Sequence, residues 1–325
     1  MSGTLGIDVG GTNTKLVYLD DTGRRALDSL PTRGELGPED YFARLATRIA
    51  AEGLPIHGLG LAFAGLVGLD GRVVQAPNLS RFEGHHPAEW LSQWLPGIPV
   101  EVDNDVNAML RGEHRFGAAR GVRDVLMLGL GTGVGGALLL DGRIYRGSTG
   151  LAGELGHTLL DHDGPLCACG LKGHVEAYLS TRAIGEFARD KMAAAPPEQR
   201  AALAAAAAGS LPTPRVLSEL GHAGDALSIA ILAELGRVLG CACGNLVNAF
   251  NPELVVVGGG VAGCGDLLLE PARRELVARA MAGPGAVVRL VTTELGSDGA
   301  ALGVAALARD ALDGNLRGGD DSRVG

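Results

Sequence analysis

Apolar residues follow two rhythms along this chain: short runs that stop at glycine, and longer stretches repeating at helical spacing. From Thr4 to Asp20 an apolar strand breaks at Gly10 and Gly11 and resumes, which predicts a β-hairpin with a glycine-rich turn. Residues 38–52 carry apolar positions at helical spacing, and a strand follows that ends in a turn at Gly65. Residues 99–121 read as strand into helix, with Asp103, Asn104 and Asp105 where the strand stops. Residues 124–145 repeat the first pattern about 120 positions later, strand, glycine turn, strand, which suggests two similar halves. Helices are predicted over 180–191 and from about 225 to 248, then a buried strand running into Gly258, Gly259 and Gly260, and a closing helix that reaches Leu312. The alanine-rich, proline-bounded stretch 193–215 reads as a surface helix without chemistry, and the glycine- and charge-rich last dozen residues as disordered.

Length adds that two domains with separate cores are possible, since the chain has 325 residues, 46% of them hydrophobic. A net charge of −9 without a lysine and arginine block argues against a nucleic-acid partner. The five cysteines are an odd count in a long chain that begins without a charged-then-apolar leader, so a reducing, cytoplasmic setting is expected. No unbroken apolar run reaches the roughly 18 residues of a membrane span, so no membrane association is expected.

Chemistry concentrates in residues 153–177. Cys167 and Cys169 flank one alanine ten and twelve positions after His157, and His174 follows five positions later. These four donors can close a tetrahedron around zinc, or the thiols can lie in the core with solvated histidines. Glu154 and Glu176 bracket the group, and carboxylates beside an imidazole suit the hydroxyls of a sugar. Cys241 and Cys243, two apart on an apolar helix, read as core.

Elsewhere each candidate has two readings. The first glycine turn is a plain hairpin, or a phosphate cradle in which backbone amides, Thr12, Thr14 and Lys15 meet an anion while Asp8 holds magnesium through water. Asn78 is an amide for a sugar or part of an Asx turn. Asn104 and Asp105 are ligands at a strand end or a helix cap, though three polar residues exceed what a cap needs, and Asp103 has no assigned role. Residues 131–136 form a Gly-x-Gly-x-x-Gly that precedes a strand, not a helix, which weakens a dinucleotide reading. Gly258, Gly260 and Gly263 form another in a better context, but no acidic residue lies at the required distance.

The motifs in order resemble the ROK family of repressors, open reading frames and kinases. Its zinc loop reads Glu-x-Gly-His, then Cys-x-Cys-Gly-x-x-Gly-Cys-x-Glu; Glu154, Gly156, His157, Cys167, Cys169, Gly170, Gly173 and Glu176 match, with His174 in place of the third cysteine. The stretch from Asp8 to Thr12 is also similar to the first phosphate motif of the actin, hexokinase and Hsp70 superfamily. The resemblance implies an α/β, ribonuclease-H-like (actin-type ATPase) fold of two domains around a cleft. The smaller would be 1–117, rejoined by the helix 298–312, and the larger 118–297 with the zinc loop 153–177, leaving a tail at 313–325.

It further implies a sugar kinase using ATP and Mg2+, with a structural Zn2+ on His157, Cys167, Cys169 and His174. Asp105 would be the general base, and Gly65, Asn78, Asn104, Glu154, His157 and Glu176 would hold the sugar. Asp8, Gly10, Gly11, Thr12, Asn13 and Lys15 would meet the nucleotide with Gly131, Thr132 and Gly133, and Gly258, Gly259 and Gly260 would lie against adenosine. The expected acceptor is the 6-hydroxyl of glucose, with N-acetylglucosamine, N-acetylmannosamine or fructose as alternatives, and a homodimer or higher homo-oligomer is expected. Repressors of the family carry a helix-turn-helix ahead of the first hairpin, and here that hairpin starts within the first dozen residues, which disfavours a sugar-sensing regulator.

Overall fold

The computed structural model describes residues 3–315; the tail expected at 313–325 lies, past Asn315, outside the described residues. The chain forms two units. One holds the described residues up to Gly121, Ile144–Ala152 and those from Glu294 on; the other holds Val122–Arg143 and Gly153–Thr293. Residues 144–152 thus return to the first unit, an excursion that hydrophobic pattern alone does not signal.

In the first unit, β1 (Gly3–Val9), β2 (Asn13–Asp20), β3 (Gly23–Pro31), β4 (Ile56–Phe63) and β7 (Val100–Asn104) form one sheet in the order β3-β2-β1-β4-β7. The strands β1, β4 and β7 are mutually parallel, and β2 and β3 antiparallel. The small strands β5 (Leu66–Val67) and β6 (Val73–Gln75) pair with each other. Alternation along β1 sends Leu5, Ile7 and Val9 to one face, into a core with Tyr41, Phe42 and Leu45 of α1 (Pro38–Ala51) and with Phe82. The unit also contains α2 (Pro87–Trp94) and α3 (Asp105–Phe116).

The opposite face of β1 carries Thr4, Gly6 and Asp8, and the helix that lies on it is made of small residues. A Cβ at Gly6 would stand 1.7 Å from the carbonyl of Ala301, so backbone touches backbone there.

In the second unit, β8 (Val125–Leu130), β9 (Val134–Leu140), β10 (Arg143–Ile144, where the chain leaves the unit), β11 (Leu254–Gly258) and β12 (Arg289–Thr292) repeat the pattern as β10-β9-β8-β11-β12. Again an antiparallel hairpin leads into parallel strands. Helices α4 (Glu176–Leu179), α5 (Thr181–Ala194), α6 (Pro197–Ala207), α7 (Pro214–His222), α8 (Ala226–Phe250), α9 (Asp266–Arg279) and α10 (Ala282–Val287) complete it, and α11 (Gly299–Leu312) is the small-residue helix of the first unit.

One expectation needs correction. The alanine-rich insert is not merely a surface helix, because Leu203 on α6 is fully buried in the core of the second unit. By length and mean hydropathy, 1.7, α8 could cross a membrane, but Glu234 and Arg237 interrupt its apolar residues, and Ile231, Leu235, Leu239, Cys243 and Val247 pack into the core of the second unit.

Candidate active site

The carboxyl ends of β1, β4 and β7 lie side by side, since Val9 pairs with Phe63 and Phe63 with Asn104. This edge, where ligands bind in open α/β sheets, carries the Gly10–Asn13 turn, Gly65 and the Asp103–Asp105 corner. Asn104 is the N-cap of α3, its Oδ1 accepting from Val106 N at 2.9 Å and Asn107 N at 3.0 Å. Its Nδ2 donates to Gly65 O at 2.9 Å and to Asp105 Oδ1 at 3.0 Å. With all four bonding positions of the amide used, Asn104 fixes the corner, and contact with a sugar hydroxyl requires giving up one of those bonds. Asp105, the first residue of α3, has its Oδ1 held by Asn104 and by Val106 N at 3.0 Å.

Asp103, to which sequence reasoning gave no role, anchors this corner. Its side chain is 1% exposed and accepts from Asn104 N at 2.8 Å, from Asn107 Nδ2 at 3.2 Å and from Arg146 Nη2 at 2.7 Å. Arg111 adds a second guanidinium at 4.0 Å. The signal available was a third acid before Asn-Asp; its cationic partners lie too far along the chain to be matched by pattern. Asp103→Ala would strand two guanidinium groups, and a destabilisation of roughly 3–5 kcal/mol is expected by urea unfolding. A loss under about 1 kcal/mol would show that the cluster does not hold the corner.

On β1 and β2, alternation puts Asp8 and Lys15 on the α11 side, opposite each other across the hairpin. The ammonium of Lys15, a candidate phosphate contact, donates to Ser297 O at 3.0 Å. Burial pushes the Asp8 carboxyl up to about 6, with Lys15 working against the shift. Gly11, Thr12 and Asn13 are exposed, and a Cβ at Gly11 would stand 3.0 Å from that of Asn78, so the Asn78 loop borders the turn.

In the second unit the Gly131–Gly133 turn joins β8 to β9, and Thr181 holds Gly131 O through both its hydroxyl, at 2.9 Å, and its amide, at 2.8 Å. Gly258 ends β11 beside Gly129 of β8, and a Cβ at Gly259, where φ is 82°, would meet Leu130 O at 2.2 Å. The glycine triad and the second hairpin turn are therefore neighbours. Thr132 is exposed on that turn.

Glu176 connects this turn to the 153–177 loop. Its Oε2 accepts from Val134 N at 3.0 Å and its Oε1 from the Cys167 thiol at 3.2 Å, so the carboxylate is already occupied by protein groups. Glu154 is partly exposed, and burial raises its pKa, with His157 opposing and Glu176 adding to the shift. The donor atoms of His157, Cys167, Cys169 and His174 all lie within 4.8 Å of one another. Cys167 Sγ is 3.7 Å from His157 Nδ1 and Cys169 Sγ is 3.2 Å from His174 Nδ1, separations that suit a tetrahedral metal. The remaining ring nitrogen of His157, Nε2, faces Glu154 at 3.9 Å. Burial pushes the Cys167 thiol up to about 12, the Cys169 backbone opposing and the Glu176 and Cys169 side chains adding to the shift.

Two sheets of one topology, each opening with a glycine-turned hairpin, define the actin-type ATPase class. Residues 4–311 match the ROK family. The glucokinase of Streptomyces coelicolor is 32% identical over 317 residues, 94% of this chain and 98% of that protein. A crystal structure of a ROK family glucokinase from Streptomyces griseus, in complex with glucose and AMPPNP, is 33% identical with a TM-score of 0.82, over 95% of this chain and all of that one. The ROK hexokinase of Thermus thermophilus is 32% identical with a TM-score of 0.75, over 96% and 99% of the two chains. The chain belongs to the ROK family.

Proposed function

We infer that this chain is an ATP-dependent hexose kinase acting on the 6-hydroxyl of glucose. The observation that carries the reading is the Asn104–Asp105 corner, set by a cap and an anchored acid on the same strand edge as the Gly10–Asn13 turn. The similarity to glucokinases, one of them solved with glucose and an ATP analogue, supports glucose as the acceptor.

Phosphoryl transfer depends on position and charge neutralisation. Asp105 accepts the proton of the sugar 6-hydroxyl as that oxygen bonds to the γ-phosphorus and the bond to the β-phosphate oxygen breaks, leaving ADP and the sugar 6-phosphate. Gly65 and Asn78 of the first unit, and Glu154 and His157 of the second, are each read as sugar contacts, with Asn104 and Glu176 acting partly through the contacts they already make. The first-unit turn Gly10–Asn13, exposed at Gly11, Thr12 and Asn13, and the second-unit turn Gly131–Gly133, exposed at Thr132, are each read as phosphate loops, and the glycine triad 258–260 as an adenosine contact. Asp8 is the carboxylate suited to magnesium, which when bound offsets phosphate charge. His157, Cys167, Cys169 and His174 would hold zinc, which when bound would fix the orientation of the His157 ring beside the sugar contacts.

Asp8 carries a testable trade-off. Its folded pKa is raised, so its ionised form opposes folding above about pH 6, and stability is regained as pH falls through that value. At pH 8, Asp8→Asn should therefore stabilise the fold, by on the order of 2–3 kcal/mol for a shift of about two units, while kinase activity collapses. A variant both less stable and fully active would refute the assignment. For the substrate, ADP release by the purified protein should be compared over glucose, mannose, fructose, N-acetylglucosamine and N-acetylmannosamine. Glucose should give the highest kcat/KM; a tenfold preference for another sugar would replace it.

A further inference from the structure

Beneath the Gly10–Asn13 turn runs a line of buried hydroxyls that the chemistry above leaves unused. Tyr41 OH lies 2.8 Å from Thr14 Oγ1, and Thr14 Oγ1 lies 3.1 Å from Thr32 Oγ1. Thr32 Oγ1 donates to Gly10 O at 2.7 Å, and the Thr32 amide donates to Thr12 O at 2.9 Å. All three side chains are 0% exposed, against an apolar core that includes Phe42, Phe63 and Phe82.

A hydroxyl has one proton to give. Thr32 gives its own to Gly10, so towards Thr14 it can only accept; Thr14, its proton thus committed, accepts from Tyr41. Every proton in the line therefore points toward the turn, and bonds aligned in this way polarise and strengthen one another.

The consequence is read at Gly11. In a trans peptide the carbonyl of one residue and the N–H of the next point in opposite directions. Holding Gly10 O inward on Thr32 therefore aims the Gly11 N–H outward, where the turn is exposed. Across its own mouth the turn has the bond from Gly10 N to Asn13 O at 3.2 Å; the inward hold comes from the end of β3 and from α1.

We propose that Tyr41, Thr14 and Thr32 are positioning residues, a directed hydroxyl relay that presents the Gly11 amide to a nucleotide phosphate. The inference rests on the reading that this turn receives ATP.

The test measures binding of AMPPNP with Mg2+ and of glucose, separately, by calorimetry on the full chain. Wild type must bind AMPPNP; if it does not, the reading of the turn fails and the relay with it. Thr32→Val should weaken AMPPNP about tenfold while glucose affinity stays within about twofold, and Thr32→Ser should restore it, as expected for losing one buried hydrogen bond and a committed geometry. Tyr41→Phe removes only the distal hydroxyl and should weaken AMPPNP about threefold, which keeps the test open if Thr32→Val does not fold. A wild type that binds AMPPNP alongside a Tyr41→Phe variant, or a folded Thr32→Val variant, that binds it equally well would overturn the relay alone. Equal losses for AMPPNP and glucose would mean a general structural role and would overturn it too.

Discussion

Asp105→Asn is expected to lower turnover by roughly two to four orders of magnitude with fold and glucose binding intact, the usual worth of a positioned general base. The fold should survive because α3 is capped by Asn104, and Asp105 Oδ1 accepts from Asn104 and Val106, which an asparagine carbonyl can also do. What asparagine cannot do is take a proton. KM for glucose should move little and kcat should carry the loss, since the interaction matters most as the proton departs. Turnover within tenfold of wild type would remove Asp105 from the mechanism.

His174→Ala is expected to lose zinc, from about one per chain to near none, and to raise the KM for glucose at least tenfold. His174 lies 3.2 Å from Cys169 and is buried, so it is placed to ligate but not to reach solvent freely. The effect on sugar is indirect: His157 shares the donor cluster and would lose the partner that fixes its ring. His174→Cys should keep both metal and sugar affinity. Full zinc content in His174→Ala, measured by elemental analysis, would assign the fourth ligand elsewhere.

The two hairpins, the Asn-Asp corner and the His/Cys cluster were legible because each is a local pattern: a period, a glycine break, or donors within about 20 positions. β3 was not, because eight of its nine residues show no regular burial and only Leu30 is buried, so it carries no hydrophobic alternation to read. Leu203 was hidden by the alanines around it, whose composition suggests surface while one leucine reaches the core. Asp103, Thr32 and Tyr41 were hidden for another reason. Their partners, Arg146, Gly10 and Thr14, are distant in sequence, and a polar residue declares its role only when the fold brings its partner near. Glu176 shows the limit of resemblance: the motif placed it correctly in the loop but did not reveal that Val134 and Cys167 already occupy its carboxylate.

The central claim is transfer from ATP to the 6-hydroxyl of a hexose. Purified protein should be incubated with ATP, Mg2+ and either glucose or 6-deoxyglucose, and the products followed by 31P NMR. The account predicts ADP and a phosphomonoester at carbon 6 with glucose, and ADP no higher than the sugar-free blank with 6-deoxyglucose. A phosphate at another carbon, or equal ADP release with the 6-deoxy sugar, would contradict it.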